Sequence, residues 1–386
     1  MNLRKCLHSL GMPFLILSFF TFLFGVEVKA QTQNPDIERY RAQLDSTYLK
    51  ARSLCDADST GKLAKNWVSL SNAFTAIMDE SELKEKYRHL DFQMETSKIL
   101  KQALKLDKKG EFLQSIQSTL AFNTIDLSNM GLASMEAGRK HNSVADAEKA
   151  IELFALCLDD YKETGSAQKI VDSYWKEEDL DWKWIRFYKA VCLRMAKKES
   201  EAEKEYLTLI KLGWTVPIVF LELSNLQIEN SKLDEAIKTL VLGNEQNVED
   251  IKIACNLAKI YVKTDQLKKA EALMKNFIQH RGENVEVALT TALVYEKKRD
   301  FKKADAFFKA IYKSDPNEVV INQTYAGYLL RKALAADKMD AEEYAQQAYN
   351  LLAHAIDLSP NNVLIQNEWA GVKTKYPKVY RVAESD

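Results

Sequence analysis

A period of 34 residues governs the middle of this chain. Sliding the 386-residue sequence against itself at that interval aligns four consecutive segments without a gap, 183 to 216, 217 to 250, 251 to 284 and 285 to 318. Position 20 is Ala in all four (Ala202, Ala236, Ala270, Ala304), and position 8 is always small (Ala190, Ser224, Ala258, Ala292). With Ala at about a tenth of residues, the first column alone arises by chance on the order of once in ten thousand. Large side chains fill complementary columns: Tyr206, Leu240, Met274 and Phe308 at position 24, and Leu233, Leu267 and Phe301 at position 17. Small facing large lets two helices approach closely. The period is therefore one pair of helices, repeated. Only 12 Gly and 6 Pro punctuate the whole chain, too few for a fold of many short strands and turns.

Leu257 and Tyr261 at positions 7 and 11 of the third segment, Tyr295 at position 11 of the fourth and Pro316 at position 32 complete the pattern. These columns resemble the tetratricopeptide repeat, whose consensus has small residues at 8 and 20, aromatics at 11 and 24 and Pro at 32. The resemblance implies an all-α fold, a right-handed α-α superhelix, that binds a protein or peptide and is not an enzyme. Lys189 at position 7, Gln227 at position 11 and Gly243 at position 27 depart from the consensus and suggest local looseness. Degenerate copies flank the regular block, as terminal repeats must cap a stack. Gly131, Gly138, Ala150, Phe154 and Cys157 fall at positions 8, 15, 20, 24 and 27 if about seven residues are inserted after Gly138, and a further irregular pair spans 62 to 108. Ala348, Leu352, Ala355 and Pro360 occupy positions 20, 24, 27 and 32 behind a helix that starts near Val319 and is about ten residues longer than usual. A capping helix is expected from Val363 to about Lys375. The chain thus reads as a leader (1–30), irregular helical repeats (31–182), four regular repeats (183–318) and a degenerate repeat with its cap (319–386). Within the second of these, Asn34 to Cys55 reads as an amphipathic helix with Ile37, Tyr40, Leu44, Tyr48 and Leu49 on one face.

In the family, the inner groove is lined by the first helix of each pair, mainly at positions 2, 5, 9 and 12. Those columns give Trp184, Phe187, Val191 and Arg194; Ile218, Leu221, Asn225 and Ile228; Lys252, Cys255, Lys259 and Val262; and Glu286, Leu289, Leu293 and Glu296. An apolar majority at solvated positions points to a groove for a peptide or helix, with Asn225, Lys252, Asn256 and Lys259 fixing its orientation. The alternative is that flanking helices cover these positions and make them ordinary core. Some family members clamp a C-terminal carboxylate with cations; from 217 onward this chain has Asn225 and Asn256 but Leu221, Glu286 and Thr290 where the cations belong, so that clamp is absent. The stretch from Gly165 to Trp182 interrupts the period and ends in an aromatic and acidic run. Trp175 and Trp182 make it the second candidate surface, against the alternative that its tryptophans plug a joint.

At the N-terminus Arg4 and Lys5 precede an apolar run, Phe14 to Val26, followed by Val28-Lys29-Ala30. This reads as a secretory signal peptide cleaved before Gln31, the 13-residue run being shorter than the roughly 20 residues a spanning helix needs. Cys6 lies ahead of the run, whereas a lipidation cysteine follows it, so a periplasmic or secreted protein without a stable membrane anchor is expected. The net charge of −1 leaves no basic field for nucleic acid. Cys55, Cys157, Cys192 and Cys255 form no CxxC pair, and Cys157 and Cys192 fall at core-facing positions, so buried free thiols are expected. No two glycines lie within two positions of each other, which excludes dinucleotide and phosphate-cradling loops, and no GxSxG elbow occurs. His89, His141, His280 and His354 are scattered, with no zinc spacing. The acidic runs Asp159-Asp160 and Glu177 to Asp179 have the residue types of a glycosidase pair, yet charge runs at helix ends are usually solvated. No cofactor, metal or catalytic residue is expected. The sequence points to a protein-binding scaffold of the cell envelope, with a structural subunit of an outer-membrane or secretion assembly, or a glycan-binding accessory protein, as the other classes.

Overall fold

The computed structural model describes residues 35–57, 63–78, 80–88, 90–281 and 284–379. Residues 1–34, on which the expected signal peptide falls, and the sequence after Val379 lie outside them. Every regular element among the described residues is helical, and none of those helices is long and apolar enough to cross a membrane. The chain divides into two compact units, the first ending at Trp214 and the second starting at Thr215, so the first regular repeat falls with the N-terminal unit.

The first unit holds α1 (Pro35–Ala57), α2 (Ala64–Met78), α3 (Ser81–Lys86), α4 (Phe92–Leu106), α5 (Leu113–His141), α6 (Val144–Glu163), α7 (Gln168–Glu177), α8 (Trp182–Met195) and α9 (Glu199–Lys211). The helix α1 packs on α2 through Tyr48, Ala51 and Cys55, with Leu44 half-buried. Ile37, Tyr40 and Leu49, expected on the buried face, stay exposed. The contact stripe runs 44, 48, 51 and 55, and its two small residues set how closely α2 approaches. Rings of Tyr48, Phe74, Tyr87 and Phe92 fill the junction at centroid separations of 5.0 to 5.7 Å. Tyr87 Oη and Lys86 Nζ both donate to Asp45, each at 2.7 Å, which ties α1 to the end of α3.

The hairpin of α5 and α6 shows where the seven inserted residues go. The left-handed turn residue is Asn142 (φ 50°), four residues beyond Gly138, and α6 starts six residues ahead of Ala150 rather than three. The insertion is therefore absorbed as about one more helical turn on each arm. Gly138 is not the turn: it sits inside α5 beside Met195 and the backbone of Ser143 and Ala147. Gly131 does what position 8 requires, since a Cβ there would lie 2.5 Å from the fully buried Phe154 ring.

The second unit holds α10 (Pro217–Glu229), α11 (Leu233–Gln246), α12 (Ile251–Lys263), α13 (Leu267–Arg281), α14 (Val285–Lys297), α15 (Phe301–Ser314), α16 (Val319–Ala335), α17 (Lys338–Leu358) and α18 (Val363–Lys375). Ala236, Ala270 and Ala304 are fully buried, as are Leu240, Met274 and Phe308. The Phe308 ring stacks on Tyr328 at 4.5 Å and on Tyr325 at 5.4 Å.

Across both units the turn inside each regular pair is built the same way. Lys197, Ser231, Asp265 and Arg299, all at position 15, have φ between 58° and 60°. The next amide in each case reaches back to the last turn of the first helix, from Lys198 to Leu193 O, Lys232 to Gln227 O, Gln266 to Tyr261 O and Asp300 to Tyr295 O, at 2.8 to 2.9 Å. Such a bond satisfies a carbonyl that the helix end would otherwise leave open. The departures from consensus are compensated rather than loose. Lys189 Nζ donates to Glu205 at 2.8 Å, buried Gln227 accepts from Thr239 Oγ1 at 2.8 Å, and Phe220 fills the space over Gly243.

Candidate partner-binding surface

The residues expected to line a groove divide between the two units. In the first, α8 starts at an N-cap, Asp181, whose carboxylate accepts from the Lys183 and Trp184 amides at 2.8 and 2.9 Å. That cap fixes the first turn, and Trp184 lies half-buried with its ring edge-on to Trp214 at 4.9 Å. Phe187, one turn on, is completely buried among Trp184, Tyr188, Tyr206 and Trp214. It is core, because an indole supplied from beyond α9 closes over it. Val191 is half-buried.

In the second unit, Leu221 on α10 is 8% exposed, and Ile218 is half-buried. Leu289 and Leu293 on α14 are half-buried against the core formed with α15, α16 and α17. Cys255 is fully buried against Thr290 on α14. The exposed members are polar: Asn225, Lys252 and Lys259, with Asn256 half-buried. Lys259 lies 3.4 Å from Glu286, whereas Asn225, Lys252 and Asn256 make no hydrogen bond or ion pair among the described residues. The apolar columns thus go mainly into the core, and the solvent-facing surface of these first helices is amide and ammonium edged by half-buried leucine.

The inserted segment behaves differently from an exposed loop. Trp175 is completely buried, and its Nε1 donates to Ser128 Oγ on α5 at 3.1 Å. It presents nothing to a partner in this state, as expected if it plugs a joint. Trp182, at the first position of α8, is half-buried under Lys183 Nζ, 5.9 Å from the ring centroid.

The acidic run Asp159-Asp160 belongs to a polar cluster that sequence spacing did not reveal. Asp160 is fully buried and accepts from Ser97 Oγ at 2.6 Å and Asn123 Nδ2 at 3.1 Å, with Lys101 Nζ at 2.9 Å. Burial raises the Asp160 carboxyl above the ordinary range, while the hydrogen bond from Lys101 lowers that of the more exposed Asp159. Solvent reaches neither Ser97 nor Asp160, so the buried part of the cluster ties α4, α5 and α6 together. The signal was present only as two carboxylates and a Lys 58 residues apart, which chain order cannot join.

All four described cysteines are buried, and no disulfide links them. Burial raises the thiols of Cys157 and Cys255 and pushes that of Cys192 up to about 12. Among the described residues no group of three His, Cys, Asp or Glu side chains is arranged to hold a metal ion.

No protein-family model matches the chain, and no curated protein matches it. Solved structures do. The chain is similar to a tetratricopeptide repeat protein from Parabacteroides merdae (11% identity, covering 64% of this chain and 99% of that one, TM-score 0.42). It is similar also to a thermophilic repeat protein of Thermus thermophilus (15% identity, 50% and 99%, TM-score 0.41). YrrB, described as a TPR protein with an unusual peptide-binding site, aligns at 16% identity over 51% of this chain and 96% of its own, with a TM-score of 0.34. Among the described residues the fold is all-α, built of helix pairs that follow the 34-residue period.

Proposed function

We propose that this chain is an exported, non-enzymatic scaffold that holds a segment of a protein partner on the first-helix face of its second unit. The observation behind this reading is the set Asn225, Lys252 and Asn256. These are three polar side chains on neighbouring helices α10 and α12, which the fold neither buries completely nor pairs. An amide that has no internal partner can both donate to and accept from a peptide backbone, and an unpaired ammonium adds a charge-assisted bond. Half-buried Leu289 and Leu293 on α14 supply apolar contact, and Lys259 exchanges Glu286 for a partner carboxylate. Export follows from the leader, and the mature chain is expected to start at Gln31.

The test is affinity purification from an envelope extract with the mature wild type and an Asn225→Ala/Lys252→Glu/Asn256→Ala variant, which leaves the core untouched. Recovery of the partner is expected to fall at least tenfold, as when interface anchors are truncated. An unchanged partner set sinks the assignment of this face. A second reading, a structural subunit of an outer-membrane or secretion assembly, is favoured by one observation on α1. Ile37, Tyr40, Leu49 and Leu54 stand 47% to 57% exposed there, an unusual number of apolar side chains for one terminal helix. Under that reading the triple variant keeps its partners, and deleting 34–55 removes them.

A further inference from the structure

The inserted helix α7 breaks the alternation of first and second helices, and its position says what the surface beneath it recognises. It lies on the first helix of its pair, α5, at Ser128 and Asn129, positions 5 and 6 of that repeat. Two buried side chains one turn apart, Val171 and Trp175, make the apolar contact, while Asp172, Ser173, Lys176 and Glu177 face solvent. Two hydrogen bonds join it to α5, from Trp175 Nε1 to Ser128 Oγ at 3.1 Å and from Asn129 Nδ2 to Tyr174 Oη at 3.0 Å, and a third joins it to α6, from Tyr161 Oη to Asp172 Oδ1 at 2.6 Å. An amphipathic helix laid on a first-helix face by an aliphatic and an aromatic anchor is the geometry of helix-in-groove recognition. Here the chain supplies the helix itself.

Three features make the docked state easy to release. At 10 residues α7 is too short to persist without its contacts. A left-handed residue stands just beyond each end, Gly165 at φ 50° and Asp179 at φ 54°, so the segment is bracketed by two reversals of the backbone. Glu178, at its C-cap, has a buried carboxylate oxygen with no hydrogen-bond partner, a penalty that opening removes.

We infer that the face of α5 around Ser128 and Asn129 is a helix-binding surface whose resident occupant, α7, exchanges with a partner's amphipathic helix carrying an aliphatic and an indole side chain one turn apart. This rests on the reading that first-helix faces of this chain bind partner segments. It concerns the first unit, however, and its test needs no natural partner.

Hydrogen exchange on the whole mature protein comes first. The amides of α7 are expected to exchange roughly 100-fold faster than the central amides of α5 and α6, because local opening lies well below global unfolding. Equal protection of the three helices overturns the inference. Next, a fluorescent peptide of residues 166–180 is titrated onto a Val171→Asp variant, which undocks α7. Saturable binding at least tenfold tighter than to wild type is expected, and Ser128→Ala/Asn129→Ala in the same background should weaken it. No saturable binding, with the remaining helices intact by circular dichroism, overturns it as well. Should Val171→Asp fail to fold, Ser128→Ala/Tyr174→Phe removes both hydrogen bonds to α5 and keeps the packing. It is expected to speed exchange in α7 about tenfold with the other helices unchanged, and uniform exchange counts against the inference. Failure of the face on α10 and α12 would appear instead as unchanged partner capture by the triple variant.

Discussion

Glycine at position 15 of the regular repeats is expected to stabilise the protein. Lys197, Ser231, Asp265 and Arg299 are exposed, left-handed at φ 58° to 60°, and 34 residues apart. Holding an ordinary L-residue in that region costs about 1–2 kcal/mol, and glycine removes most of it. Glycine also has more freedom to lose on folding, about 0.5–1 kcal/mol. The balance for Arg299→Gly or Lys197→Gly is a gain of about 0.5–1 kcal/mol, with less for Asp265→Gly because Asp tolerates the left-handed region better. Each side chain is solvent-exposed, so no packing is lost to offset this. Ser231→Gly, Asp265→Gly and Arg299→Gly share no partner and should add, to about 1–2.5 kcal/mol in the second unit. For a unit of this size, that is a rise in Tm of roughly 2–10 °C. Urea titration and calorimetry of the triple variant measure it. Lys204→Gly, inside α9, serves as the control and should destabilise by about 1 kcal/mol. A triple variant that melts at or below the wild-type temperature refutes the reasoning, since it would mean the left-handed turns are not where the strain lies.

Other perturbations give equally definite expectations. Gly131→Ala places a Cβ 2.5 Å from the enclosed Phe154 ring and should destabilise by about 1–3 kcal/mol, whereas Gly371→Ala, inside α18 with nothing within 4 Å, should stabilise by up to about 1 kcal/mol. Thermal melts of the two variants must therefore shift in opposite directions. Lys101→Met leaves Asp160 buried without its cation and should cost about 3–5 kcal/mol, while Lys101→Met/Asp160→Leu should recover much of that; a double variant no more stable than the single contradicts the ion-pair account. Hydrogen bonds from Lys275 and Lys298 hold the Glu271 carboxyl near 2, below the ordinary 4.5. Its folded value being the lower one, its contribution is complete above about pH 4.5 and is lost as pH falls toward 2. Glu271→Gln should lower stability at pH 7, with a deficit that shrinks as pH falls toward 2, so that the stability profile is flatter than wild type in that window.

What the sequence made legible was the repeating part. Ala202, Ala236, Ala270 and Ala304 mark a column because every pair solves the same packing problem, so four copies of one answer stand out. Single solutions leave no such trace. Nothing in the neighbourhood of Trp175 names Ser128 as its acceptor, and nothing near Asp160 names Lys101, because each contact occurs once and joins helices far apart in the chain. Phe187 illustrates a different limit: its column belongs to the groove in the family, yet Trp214, at position 32 where the consensus has Pro, covers it. The departures Lys189 and Gln227 read as weak points in isolation because their partners, Glu205 and Thr239, are ordinary residues with no pattern to announce them.

The four buried cysteines give this fold a property unrelated to binding. Cys55, Cys157, Cys192 and Cys255 lie on α1, α6, α8 and α12, in four different helix pairs, each at most 5% exposed. A thiol reacts as its thiolate, and all four are shielded from reagent, three of them with a raised pKa besides. While their helices stay folded, these four thiols are thus shielded from oxidants and alkylating agents. Each thiol becomes reactive only when its own helix pair opens. The order in which the four are labelled under mild denaturant is therefore a clock for how the array comes apart, written into the chain at intervals from its first described helix to its third regular repeat.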